Sequence, residues 1–195
     1  MHPSDDKSDM RPLIIGIAGP AGSGKSTAAA ALVADGYQRL PLALPLKVML
    51  REGLGLTEAE TDGTLKEVAL SRLGLDVTPR VLLQTLGTEW GRSLDPQFWL
   101  KAWQARASKL APLAGQEQAL IVVDDIRFLN EALFLRSLGG RILCIVGSEP
   151  TLTGAAAIHA SEAGWPVIRD MPGTKHVRGG GSVRHFQDRV RRAAY

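Results

Sequence analysis

The sequence predicts an α/β fold, a doubly wound parallel sheet of about five strands with helices on both faces. Continuous apolar runs with β-branched residues, such as Leu13–Ala18 and Ala119–Asp124, are typical of strands buried on both faces. Segments of helical character alternate with these runs, which is the pattern of a parallel sheet. The 195 residues, 45% of them hydrophobic, are enough for one domain with a sizeable core.

The N-terminal half of the chain begins with a polar stretch, residues 1–12, which we expect to be a flexible tail before a single domain over residues 13–195. The first strand, Leu13–Ala18, precedes an alanine-rich helix over Thr27–Ala34. Tyr37–Leu40 is a candidate for a second, short strand.

Residues 42–110 look largely helical and interrupt the alternation, so they are predicted to form a substrate-binding insertion. Pro45 and Pro79 each suit the first turn of a helix, and Asp95 before Pro96 resembles a helix cap followed by a first-turn proline. The amphipathic stretch Lys66–Leu73 predicts one more helix in the insertion.

The C-terminal part returns to alternation, with a helix over Glu131–Leu138 and a strand over Arg141–Val146. Residues 148–173 lack a clear period and are too long for a simple connection, so they are predicted to form a lid. A short strand over Lys175–Arg178 and a helix capped by Ser182 complete the chain.

A phosphate-binding loop is the strongest functional signal, because Gly19–Ser26 matches G-x-x-x-x-G-K-[ST] at every fixed position, between a strand and a helix. Glycines let the backbone approach phosphate oxygens, and its N–H groups form an anion nest at the start of the helix. Lys25 is predicted to reach the β- and γ-phosphates of ATP, and the Ser26 hydroxyl to bind Mg²⁺. The candidate ATP-binding residues are Gly19, Ala21, Gly22, Ser23, Gly24, Lys25, Ser26 and Thr27.

Two acids follow the second apolar strand. In a parallel α/β sheet ligands bind at the carboxyl ends of strands, so Asp124 or Asp125 is expected to hold Mg²⁺ beside the phosphates. The alternative is that both acids cap the next helix. Arg127 could bridge the transferred and accepting phosphates, or pair with Glu131 one helical turn away.

Composition argues against several other classes of protein. The net charge of +3 is too small to favour a nucleic-acid substrate, and the apolar runs are too short to cross a bilayer. No Asn-Lys-x-Asp stretch of a guanine site is present. The single cysteine, Cys144, lies in an apolar run and is expected to be buried, which fits a reducing cytoplasm.

Further segments occur in a specific order after residue 12: Leu44-Pro45-Leu46-Lys47, Lys66-Glu67, residues 79–92, Asp95-Pro96 with Trp99, Asp125-Ile126-Arg127-Phe128 with Asn130-Glu131, and His159-Ala160-Ser161-Glu162. Together with the phosphate loop, they resemble the phage-type deoxynucleoside monophosphate kinases, a family of small P-loop phosphotransferases. Residues 79–92 and the Asp-x-Arg-Phe-x-x-Glu pattern are much more specific than the loop.

This resemblance implies transfer of the ATP γ-phosphate to a deoxynucleoside 5′-monophosphate, with Mg²⁺ as the cofactor. It implies that Lys25, Asp125 and Arg127 are catalytic, and that Asp125 is the acid on the metal side with Ser26. His159 and Glu162 would lie in the lid. The implied acceptor-binding residues are Lys47, Arg80, Gln84, Arg92, Trp99 and Arg127.

Some features leave alternatives open. Arg169 is the one arginine between Gly147 and Met171, so the catalytic positive charge is expected to come from Lys25, Arg127 and the insertion. Trp90 and Trp99 could stack on a base, although such spacing is also typical of a core. Other interpretations are a kinase for dephospho-coenzyme A, a nucleoside or a modified base in DNA, or a regulatory ATP-binding module. Base preference and assembly, a homodimer included, stay open.

Overall fold

The computed structural model describes residues 12–147 and 164–195. The chain forms two compact units, which we call the sheet unit and the helical unit. The helical unit is Leu42–Arg106, and the sheet unit comprises the chain on either side of it. Among the helices within the described ranges, none is long and apolar enough to span a membrane.

The sheet unit contains a five-stranded sheet whose neighbouring strands are all parallel, in the order β2-β3-β1-β4-β5. This arrangement confirms the predicted doubly wound α/β fold. The strands are β1 (Leu13–Ala18), β2 (Gln38–Arg39), β3 (Leu120–Val123), β4 (Arg141–Val146) and β5 (Lys175–Arg178). The helices are α1 (Lys25–Ala34), α2 (Leu44–Leu54), α3 (Glu58–Thr61), α4 (Pro79–Gln84), α5 (Arg92–Leu94), α6 (Phe98–Ala107), α7 (Leu129–Ser137), α8 (Trp165–Arg169) and α9 (Val183–Ala194).

Helices cover the central strand β1 on both faces. On one face, Ile15 and Ile17 belong to an apolar cluster with side chains of α1 and α9, among them Leu32 and Val190. On the other face, the isoleucine and leucine methyl groups around Gly16 come from β4, α7 and the segment after β3. Alternate residues of one strand point to opposite faces, so an apolar run such as β1 is needed to bury both. Cys144 of β4 is fully buried, as expected.

The helical unit departs from the sequence prediction in one stretch. The single helix predicted over Lys66–Leu73 is wrong, because this stretch contains two short 3₁₀ turns, Thr64–Glu67 and Ser71–Leu73. Between them, the Leu70 N–H bonds to the carbonyl of Val77 rather than to the preceding turn. Leu70 is thereby buried in an apolar cluster with Leu50 and Leu56, and tertiary packing outweighs the local pattern.

A π-helical segment, Thr85–Gly91, continues α4 in this unit. Its last residue, Gly91, lies against the indole ring of Trp99, so that a Cβ atom at this position would lie 2.2 Å from Trp99 Nε1. The ring is 7% exposed and its Nε1–H donates a hydrogen bond of 2.9 Å to the carbonyl of Gly87. Close approach of backbone and ring therefore requires glycine at residue 91.

This contact predicts the outcome of two glycine-to-alanine substitutions. Gly91→Ala should lower the free energy of unfolding by about 1–3 kcal/mol, because the buried ring must move. Gly53→Ala, in α2 and with no atom within 4 Å of the place that the new methyl group would take, is the matched control. It should raise stability by about 0.5–1 kcal/mol, because alanine loses less backbone entropy on folding. Urea unfolding followed by circular dichroism measures both, and equal stability of the two variants would contradict the prediction.

Candidate active site

The phosphate loop connects β1 to α1 in a shape that requires glycine. Gly19 and Gly24 have φ angles of 145° and 94°. A Cβ atom at residue 19 would lie 2.9 Å from Ser23 Oγ and 3.1 Å from the carbonyl oxygen of Ile145. A Cβ atom at residue 24 would lie 3.3 Å from the ring of Phe186 in α9. The loop is thus tightly packed on its protein side, and α9 helps to fix its conformation.

Lys25, the first residue of α1, folds back over this loop. Its Nζ donates hydrogen bonds to the carbonyl oxygens of Gly19 (2.8 Å) and Pro20 (2.7 Å). The ammonium group therefore lies beside the backbone that is predicted to hold the phosphates. Ser23 Oγ is buried and has no hydrogen-bond partner among the residues of the described structure. A buried hydroxyl of this kind is available to a ligand oxygen.

Asp124, at the carboxyl end of β3, is held by an arginine. Arg39 of β2 donates from Nε to Oδ1 at 3.0 Å and from Nη2 to Oδ2 at 2.7 Å. The Asp124 side chain is 2% exposed, so this two-bond pairing satisfies a buried charge. The adjacent acid, Asp125, is only partly buried. Arg39 was not predicted from the sequence, although its position near the end of a strand beside β3 was a signal.

Arg127 follows on the same segment and is exposed. The carboxylate of Glu131 accepts hydrogen bonds from the backbone N–H groups of Arg127 (2.8 Å) and Phe128 (3.0 Å). Glu131 is buried, so it fixes the backbone that carries the Arg127 guanidinium at the start of α7. Lys25, Asp125 and Arg127 thus belong to one unit and follow the neighbouring strands β1 and β3.

The oxygen donors near the loop suit Mg²⁺. Ser26, the second residue of α1, is exposed, and Asp125 follows the adjacent strand. No group of three or more His, Cys, Asp or Glu residues able to hold a metal occurs within the described ranges. Mg²⁺ commonly takes one or two protein oxygens together with substrate phosphates and water, which is what a hydroxyl and one carboxylate would provide.

Two of the three predicted acceptor-binding cations of the helical unit, Lys47 and Arg80, are paired with acids. Lys47 Nζ lies 2.5 Å from Oδ1 of Asp62, and Arg51, which was not predicted from the sequence, bonds to the other oxygen of the same carboxylate. Arg80 is paired with Glu67. The spacing of Lys47 and Arg51, one turn apart on a helix, was the signal for the second cation.

The remaining acceptor-side candidates lie on the later helices. Gln84 is exposed at the end of α4, and Arg92 is partly buried at the start of α5. Trp99 is in the interior of the unit, whereas Trp90 is 43% exposed and stands edge-on to Phe98 at 5.3 Å between ring centroids. Of these two tryptophans, Trp90 is therefore the one whose ring is exposed. The centroid of the Trp99 ring lies 6.1 Å from that of Trp90.

The site residues predicted from the sequence thus fall into two sets, each within its own unit. The sheet unit contains the phosphate loop, Asp125 and Arg127, and the helical unit contains Lys47, Arg80, Gln84, Arg92 and Trp99. His159 and Glu162 lie outside the described residues, as do residues 148–163 of the predicted lid. Its described remainder includes α8, whose Ile168 is fully buried.

A loop of this geometry after the central strand of a parallel sheet defines a class, the P-loop nucleotide-binding proteins. Comparison with known proteins then gives the family. The chain is 32% identical over 144 residues to a mimivirus protein (Acanthamoeba polyphaga mimivirus) named "Putative deoxynucleotide monophosphate kinase". The match covers 68% of this chain and 73% of that protein, so the chain belongs to this family and is a P-loop kinase, a phosphotransferase.

Among the solved structures that are similar to the chain, one shares its fold. TT1252 from Thermus thermophilus has a TM-score of 0.56 and 22% identity, over 94% of this chain and 96% of that one. A gluconokinase from Sinorhizobium meliloti 1021 and a dephospho-CoA kinase from Campylobacter jejuni each have a TM-score of 0.48 and 14% identity. They cover 94% and 93% of this chain, and 91% and 95% of their own chains. No protein-family model matches the chain.

The Arg39–Asp124 pair generates a prediction about stability. Arg39→Met leaves a buried carboxylate without its partner and should cost about 1–3 kcal/mol of the free energy of unfolding. Arg169→Met is the matched control, because Arg169 pairs with Asp170 at the surface of the same unit. The loss in the free energy of unfolding of Arg169→Met should stay below about 1 kcal/mol. Urea unfolding of both variants makes the comparison, and equal losses would show that Asp124 does not depend on Arg39.

Proposed function

We propose that the protein is a deoxynucleoside monophosphate kinase, which transfers the γ-phosphate of ATP to a deoxynucleoside 5′-monophosphate and releases ADP and the diphosphate. The observation that carries this proposal is Lys25 lying across a glycine loop, with Asp125 and Arg127 after the adjacent strand. The named activity of the mimivirus relative supports the choice of acceptor. The phage type of the family is part of the proposal.

On the donor side, each residue has a role that follows from its position. The backbone from Gly19 to Thr27 binds the ATP phosphates, and Lys25 neutralises charge on the β- and γ-phosphates. Ser26 and Asp125 would hold Mg²⁺, which neutralises the phosphate oxygens when it is bound. Arg127 binds the phosphoryl group during transfer, because a guanidinium can bond to two of its oxygens at once.

On the acceptor side, the phosphate of the monophosphate needs fixed positive charge. Phosphate esters carry about two negative charges at neutral pH. Lys47, Arg80 and Arg92 provide cations in the helical unit, and Gln84 can donate to the acceptor from the end of α4. The exposed ring of Trp90 is our candidate for stacking on the base, with Trp99 supporting it from within. Residues 148–173 remain our proposal for a lid that excludes water during transfer.

The first prediction from this proposal concerns the acceptor. ADP release from ATP and Mg²⁺ should rise at least about tenfold when the right monophosphate is added, because transfer requires an acceptor. A coupled assay against dTMP, dGMP, dCMP, dAMP, their ribonucleotides and dephospho-coenzyme A measures this, with a reaction lacking acceptor as the control. Stimulation by a deoxynucleotide gives the base preference. ATP turnover that no acceptor changes would contradict the kinase assignment and favour a regulatory module.

A pair of variants separates the donor and acceptor sides. Lys25→Ala should reduce kcat by at least about a thousandfold, because it removes the charge over the γ-phosphate. Arg80→Ala should mainly raise the KM for the monophosphate, by about tenfold, and leave the KM for ATP within about twofold. Steady-state kinetics with each substrate varied in turn provides the test. Unchanged kinetics in Arg80→Ala would remove this residue from the acceptor site.

A further inference from the structure

Two cations of the helical unit share a single carboxylate. Lys47 and Arg51 stand one turn apart on α2 and bond to different oxygens of Asp62, with Lys47 Nζ at 2.5 Å from Oδ1. The side chains are 14% and 26% exposed, so both cations are largely shielded from water. A pair of converging cations on one helix face is unfavourable unless an anion lies between them.

The arrangement is held in place by further contacts. Arg51 Nε donates to Thr61 Oγ1 at 2.7 Å, and Thr61 is fully buried. The Thr61 hydroxyl in turn bonds to the carbonyl of Thr57 at 3.1 Å. The same hydroxyl also lies 3.2 Å from Oδ2 of Asp62. Thr61 therefore contacts both the Arg51 guanidinium and the carboxylate, and the anion position is set by α2, α3 and the cap residue that follows α3.

The charges at this position do not balance. One carboxylate brings one negative charge to two positive ones, and a phosphate monoester would bring about two. Burial opposes ionisation of Asp62, but the hydrogen bond and charge of Lys47, with the charge of Arg51, outweigh it and lower the pKa of the carboxyl. Asp62 is thus ionised near neutral pH and acts as an anion for both cations.

We infer that Lys47 and Arg51 form the binding site for the acceptor's phosphate group, and that the Asp62 carboxylate occupies this site as an internal competitor until a phosphate displaces it. Arg51 becomes an acceptor-binding residue and Asp62 a residue that sets the acceptor's affinity. The inference rests on the proposed function, since it names the anion as the phosphate of a monophosphate.

A second ion pair of the helical unit also joins an acceptor-side cation to a carboxylate. Arg80, another acceptor-side candidate, is paired with Glu67, and both side chains are about half exposed or more. Asp62 and Glu67 belong to one short segment, so this segment supplies carboxylates to two of the predicted acceptor cations. The pairing of Arg72 with Glu60 is different. There one carboxylate pairs with one guanidinium, so the two charges balance. The same carboxylate accepts a hydrogen bond of 2.7 Å from the Thr57 N–H and thereby caps α3, so this pair has a structural role.

The test measures binding of inorganic phosphate by titration calorimetry, with a non-hydrolysable ATP analogue saturating the phosphate loop, its γ-phosphate position included, so that only other phosphate sites respond. Asp62→Asn should bind phosphate about fivefold more tightly than the unmodified protein, because the internal competitor is removed. Arg51→Gln should bind it about tenfold more weakly, because one bidentate donor is lost. Glu52→Gln is the matched control. It removes a negative charge from an exposed position of α2, next to Arg51, and should leave phosphate affinity within about twofold.

Two results would overturn the inference. The first is equal phosphate affinity of Asp62→Asn and the unmodified protein, with thermal unfolding showing that the variant is folded. The second is unchanged affinity in Arg51→Gln, which stands as the test if Asp62→Asn does not fold. No turnover enters this measurement. If Asp62→Asn binds inorganic phosphate more tightly while no monophosphate stimulates ADP release, the anion-binding site is supported and the proposed kinase activity is contradicted.

Discussion

The parallel pairing of β1 with β3 on one side and β4 on the other is the constraint on which the sheet unit depends. Backbone hydrogen bonds run to both neighbours and apolar side chains are buried on both faces, so this strand has little freedom to shift. The phosphate loop begins where β1 ends, and Asp124 and Asp125 begin where β3 ends. Loop and acids are neighbours because the strands before them are neighbours, which is how parallel sheets bring distant residues to one edge.

Charge is the second organising element. The sheet unit pairs Arg39 with the buried Asp124 and leaves the next acid, Asp125, only partly buried. One aspartate thus acts as an anchor, and its neighbour is the better candidate for a metal ligand. The helical unit also contains a carboxylate held by positive side chains, because Lys47 and Arg51 both pair with Asp62. In both units, an ion pair fixes the position of a charged side chain.

The elements most readily predicted from the sequence were those with the strongest local signal. The strands β1, β4 and β5 have the predicted bounds. For β1 and β4 the reason is that continuous apolar runs with β-branched residues fit a buried strand. Lys66–Leu73 was predicted wrongly, since its apolar spacing fits a helix but Leu70 is drawn into a cluster with distant residues. The π-helical segment Thr85–Gly91 has no sequence pattern of its own, and it appears where Gly91 and Trp99 pack closely. Arg39 lies in a predicted strand and Arg51 lies one helical turn from Lys47, but their pairing with Asp124 and Asp62 depends on tertiary neighbours that spacing along the chain does not contain.

The burial of Cys144 has a practical consequence for studying motion in this protein. Its thiol is the only one in the chain, and burial raises its pKa to about 11. Alkylating dyes react with the exposed thiolate form, so the native residue will stay inert near neutral pH. A cysteine introduced at an exposed position, such as Glu52 in the helical unit, can therefore be labelled selectively in the otherwise natural sequence. A fluorophore placed in this way would report changes in its surroundings as nucleotides bind, without first replacing the cysteine in the core.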